Sequence, residues 1–207
     1  PDGGELMQEL TQLKESPSQT AGPYVHIGCV PNFCDITGVY PEDLGARMVN
    51  AETKGERITV KGTIYDGTGT PLKDALVEIW QADAAGLYPG NDPRGAADPN
   101  FTGWGRQAGD YDTGEWQFDT IRPGAVPFPD GRMMAPHISL WIVARGINIG
   151  LNTRMYFPDA DNSADPLLTR IEHQNRVATL IAEKETDGVY RFDIYLQGEK
   201  ETVFLDV

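Results

Sequence analysis

From Arg57 onward, apolar and polar residues alternate with the period of two that places successive side chains on opposite faces of a strand. In RITVKGTIY (57–65), Ile58, Val60 and Ile64 share one face, and the turn-rich DGTGTP (66–71) leads to DALVEIWQAD (74–83), which predicts strand, hairpin turn, strand. Further strands are expected in EWQFDTI (115–121), PHISLWIVARG (136–146), RMYF (154–157), VYRFDIYLQG (189–198) and ETVFLDV (201–207). The period changes once. In DPLLTRIEHQNRVATLIAEK (165–184), Leu167, Leu168 and Ile171, then Val177, Leu180 and Ile181, recur at helical spacing behind an Asp165 cap and Pro166. With strands joined mostly by turns, the expected fold is all-β, an antiparallel β-sandwich with one helical segment near 165–184.

Residues 1–56 lack that alternation. They are rich in Gly, Pro and acid, with a weak helical patch at Leu6, Leu10 and Leu13, and read as an N-terminal arm before a sandwich domain at 57–207. Within the arm, SPSQTAGPYVHIG (16–28) is small and stiff, then aromatic, a composition suited to packing against something. Residues alone favour a contact within the same chain.

Charge narrows the partners. The chain carries 31 acidic against 17 basic residues, a formal charge of -14, spread along its length. Such a field repels nucleic acid and anionic membranes, and a site for an anionic substrate needs a local cation. Cys29 and Cys34, at C-x4-C, are too few for a disulfide framework or a zinc site and read as free thiols. No apolar run reaches membrane-spanning length and the N-terminal residues lack a signal-peptide core, so a soluble cytoplasmic protein is expected.

Candidate chemistry is sparse. GTG lacks the spacing of a nucleotide loop, and no G-x-S-x-G, H-E-x-x-H or C-x-x-C motif occurs. Of the three histidines, His173 sits among polar residues, His26 suits a core or an interface, and His137 has the neighbourhood of a site, with Ser139 two positions on and on the same face. H-x-H there would suit a metal. Ser139 as a nucleophile beside His137 lacks an oriented third group. Arg145 ends an apolar strand before a Gly-rich turn, where its planar fork could hold a carboxylate, although a surface pair with an acid explains it as well.

Taken in order, SPSQTAGPYVHIG, GTPLKDALVEIWQADAAGLY, DPNFTGWGR, IRPGAVPFPDGRMMAPHISL, RMYFPD and YRFDIYLQGEKETVF resemble the intradiol ring-cleavage dioxygenases. SQTAGPYVHIG and ARGINIG are similar to the alpha subunits of that family's two-subunit members. The resemblance implies a sandwich of the intradiol type and, in a homologous beta subunit, a ferric ion held by two tyrosinates, two imidazoles and solvent, hard donors that suit Fe(III). At the matching positions this chain keeps Tyr88 and His137 and has Val126 and Ser139 in place of the other two, so it is expected to hold no iron of its own. The resemblance further implies alpha/beta protomers in a larger oligomer, and opening of protocatechuate by O2 to 3-carboxy-cis,cis-muconate. It places Thr20, Ala21, Gly22, Pro23 and Tyr24 along the cleft between subunits and Arg145 towards the substrate carboxylate. Two alternatives stay open: a prealbumin-like binding module, because GTPLKDALVEIW also fits that hairpin, and a self-sufficient iron enzyme with an altered ligand set.

Overall fold

Ile58, Val60 and Ile64 point into the space between two sheets, and that burial fixes the register of everything paired with them. The computed structural model describes residues 19–206. Its strands are β1 (Arg57–Tyr65), β2 (Leu76–Trp80), β3 (Trp104–Ala108), β4 (Glu115–Ile121), β5 (Val126–Pro127), β6 (Met133–Met134), β7 (His137–Val143), β8 (Leu151–Tyr156), β9 (Glu183–Thr186), β10 (Val189–Arg191) and β11 (Ile194–Tyr195). One sheet runs β3-β2-β7-β8; in the other, β1 takes β4 on one side and β10 and β11 on the other, with β9 beyond β10. Trp116 and Phe118 of β4 meet Ile79 of β2 and Ile138, Leu140 and Ile142 of β7 in the core between them.

The pairing is antiparallel except that β10 and β11 run parallel to β1. They follow β1 at one constant offset, as Lys61↔Arg191 and then Ile64↔Ile194, and are a single strand interrupted at Phe192 and Asp193. There the Asp193 carboxylate accepts the Thr63 N–H at 2.9 Å, and the Phe192 carbonyl comes down onto Gly62, where a Cβ would meet its oxygen at 2.0 Å.

Three expectations are corrected. The turn at 66–71 closes locally, with Leu72 N–H donating to the Ile64 carbonyl at 2.8 Å, but β1 and β2 do not form a hairpin: the turn hands the chain from one sheet to the other. The segment 165–184 is not one α-helix. It forms two 3-10 helices, Leu168–Arg170 and Gln174–Leu180, before β9 begins. The Asp165 carboxylate does cap the first, accepting the N–H groups of Leu167 (2.8 Å) and Leu168 (3.0 Å). The Gln174 amide then donates to the carbonyls of Leu168 and Ile171, taking the place of the backbone donors a continuing helix would supply. In the described part of the last expected strand, 201–206, only Leu205 makes a strand-like bridge, to Asn152, while side chains satisfy the neighbouring backbone: Val203 N–H donates to Thr179 Oγ1 and the Val203 carbonyl accepts from Thr153 Oγ1.

The arm's leucine patch at 6, 10 and 13 lies outside the described residues. The described part of the arm, from residue 19, includes a short helix, α1 (Tyr24–Cys29), and docks Val30 against Leu76 and Ala108 on the outer side of β2 and β3. Among the described residues, no helix is long and apolar enough to cross a membrane.

Candidate functional site

Two places gather the residues that the sequence singles out. The first lies where the arm crosses the end of β7. The Thr20 hydroxyl accepts the Gly146 N–H at 2.8 Å and donates to the Ala144 carbonyl at 3.4 Å, tying the arm across Arg145. A cavity of about 470 Å³ opens beside this latch, lined by Ala21, Gly22 and Pro23 and by Lys73, Tyr111 and Arg145. Tyr24 stands outside the lining and is 80% exposed. The small side chains of this wall leave backbone open to a ligand, and the cavity has room for an aromatic ring.

Arg145 Nε donates to Asp74 Oδ2 at 2.5 Å, while the guanidinium remains 74% exposed. Arg145 thus forms the surface pair with an acid that the sequence allows, and it also lines the cavity. Lys73 and Asp74 were not singled out from LKDA, because nothing local says which lysine or aspartate will lie opposite position 145.

The second place is the outer face of β7. His137, buried, lies across from Tyr156 of β8, and Ser139 lies between Trp80 of β2 and Arg154 of β8. The His137 Nδ1–H donates to the Ala135 carbonyl at 2.7 Å, leaving Nε2 a buried acceptor without a hydrogen-bond partner. Tyr88 stacks on Trp80 with ring centroids 6.0 Å apart, and Val126 is buried with Ala82 and Met134. Burial raises the Tyr88 hydroxyl above its usual range, while the positive charge of Arg154 pulls it back.

These residues do not fit ferric iron. Valine has no lone pair, serine is a poor ligand, and Arg154, the cross-strand partner of Ser139, already brings a positive charge to this face. Among the described residues, no group of three or more His, Cys, Asp or Glu converges as a metal site.

Burial first, and the Arg154 charge second, push His137 down to about 4 from 6.5. A histidine held neutral in the fold takes up a proton on unfolding once pH drops below 6.5, so stability should fall as pH is lowered from 6.5 towards 4. His137→Gln should flatten that stretch of the stability-versus-pH curve, measured by denaturant unfolding. Parallel curves for the two proteins would show that His137 is not the group titrating.

A family model described as "Dioxygenase" matches residues 30–198. The chain is 45% identical to the protocatechuate 3,4-dioxygenase alpha chain of Pseudomonas putida, over 94% of this chain and 97% of that one. It is 35% identical to the protocatechuate 3,4-dioxygenase beta chain of Burkholderia cepacia, over 80% of this chain and 75% of that one. Among solved structures, 3-chlorocatechol 1,2-dioxygenase from Rhodococcus opacus 1CP superposes with a TM-score of 0.55 at 21% identity, covering 76% of this chain and 68% of that chain, a likeness of fold.

Proposed function

The chain belongs to the intradiol ring-cleaving dioxygenases, and from that premise we propose that it is the iron-free alpha subunit of an alpha/beta enzyme opening protocatechuate with O2. The product is 3-carboxy-cis,cis-muconate, and the place of work is the cytoplasm. The ferric ion, which makes a bound catechol susceptible to O2, belongs in this reading to the beta partner. The observation that carries it is the altered ligand face, with Val126 packed into an apolar cluster and Ser139 opposite a guanidinium, in a chain 45% identical to an alpha chain.

What this chain supplies is shape and charge. The Thr20 latch holds Ala21, Gly22 and Pro23 as a narrow wall, and Arg145 offers a cation in the same cavity. In a protein of net charge -14, that local cation, with Lys73 beside it, offsets long-range repulsion of an aromatic carboxylate. Tyr24, exposed here, is assigned to the partner side of the cleft. Arms and sandwiches of several such pairs build the larger oligomer.

Iron content and protocatechuate-dependent O2 uptake, measured on the isolated chain and on the co-expressed pair, test this directly. Iron and uptake are expected only in the pair. Stoichiometric iron with turnover in the isolated chain would overturn the reading and favour a self-sufficient enzyme.

A further inference from the structure

We infer that Arg154 is a tethered cation filling the place where a metal would sit, and that its guanidinium actively keeps ferric iron out of this chain. The inference rests on the preceding reading that iron is the partner's, and adds which residue enforces it.

Register puts Arg154 there. It is the cross-strand partner of Ser139, as Tyr156 is of His137, so the four side chains form two adjacent pairs on one sheet face. Its Nη1 lies 3.3 Å from the sulfur of Met134, and Met134 is the strand partner of Val126. Arg154 thus lies opposite Ser139 by register and against the strand partner of Val126, and its charge is felt at the other two positions that the family resemblance marks, His137 and Tyr88.

Its surroundings are unusual for an arginine. Arg154 is only partly exposed, its Nε is buried without a hydrogen-bond partner, and among the described residues no carboxylate forms an ion pair with it. What it meets is the Tyr156 hydroxyl, itself hydrogen-bonded to Asp165 at 3.2 Å, and the orphaned Nε2 acceptor lies nearby on His137. Such surroundings, neutral acceptors backed by the buried Asp165 carboxylate behind Tyr156, accommodate one positive charge. Arg154 supplies it from within the chain. A trivalent ion at the same spot would face a like charge at close range in a partly buried site, a repulsion that added ligands alone do not relieve.

The test separates ligand loss from charge. In the full chain co-expressed with its partner, Val126→Tyr/Ser139→His restores the two missing donors, and Val126→Tyr/Ser139→His/Arg154→Gln also removes the cation. Iron per protomer, with the visible phenolate-to-Fe(III) absorption, is compared with the unaltered pair. The double variant is expected to stay at the unaltered iron content, and the triple to gain up to one further iron per alpha chain, at least fivefold the double variant's gain. A double variant that loads as fully as the triple would overturn the inference, and so would a triple variant as empty as the double. If the buried tyrosine prevents assembly, Ser139→His against Ser139→His/Arg154→Gln, probed with Co(II), makes the same comparison with the apolar cluster intact: only the arginine-free variant should bind. Iron in the unaltered isolated chain would instead refute the subunit assignment, an outcome distinct from either.

Discussion

Arg145→Ala, introduced into the assembled two-subunit enzyme, is expected to raise KM for protocatechuate by roughly ten- to a hundredfold, with iron content and kcat nearly unchanged. The guanidinium lines the cavity from the end of β7, away from the ligand-like face at His137, so its loss removes uniform binding rather than an interaction confined to the transition state. Its standing partner is Asp74. An ion pair with one side 74% exposed contributes little to stability, so a substrate carboxylate can displace Asp74 at small cost. Asp74→Asn should accordingly move KM the other way, lowering it severalfold by freeing the fork. Steady-state kinetics on both variants settle the matter, and a KM for Arg145→Ala within twofold of the unaltered enzyme would remove Arg145 from the substrate site.

The second large effect is structural. Gly62→Ala should cost about 3 kcal/mol or more, because the added methyl has nowhere to go. It would meet the Phe192 carbonyl oxygen at 2.0 Å and the Trp116 ring at 2.8 Å, one of them backbone and the other a buried side chain. Relieving the clash pushes β10 and β11 away from β1 and strains the Asp193–Thr63 hydrogen bond beside it. In a chain of this size the melting temperature should drop by on the order of 10 °C. A change under 2 °C would mean that the two strands separate there more easily than their register implies.

The fold was readable wherever one face of a strand is buried and the other is wet. EWQFDTI becomes β4 with both ends as expected, since Trp116, Phe118 and Thr120 alternate inward without interruption. In 165–184 the apolar spacing is legible but the helix type is not, because a glutamine side chain six residues on supplies the donors that decide where the first turn stops. Candidate site residues divide along the same line. His137 and Ser139 declare a shared face by their spacing, and the arm's small residues declare themselves by composition. Arg154 in NTRMYF carries no such mark: its meaning comes from lying opposite Ser139, fifteen residues earlier, and sequence alone does not set that register. Asp74 escapes notice likewise, since its pairing with Arg145 joins segments 71 residues apart.

The parallel seam between β1 and the β10–β11 run also has a consequence for how the chain is made. Translation supplies β4, and so one flank of β1, long before the other, which waits for residues 189–195. At 5–20 residues per second, residues 66–188 take on the order of ten seconds to emerge from the ribosome. Throughout that interval β1 is an open-edged strand with Ile58, Val60 and Ile64 in place, a template for any passing strand. The nascent polypeptide thus carries an aggregation hazard at its central strand until residues 189–195 arrive to close it.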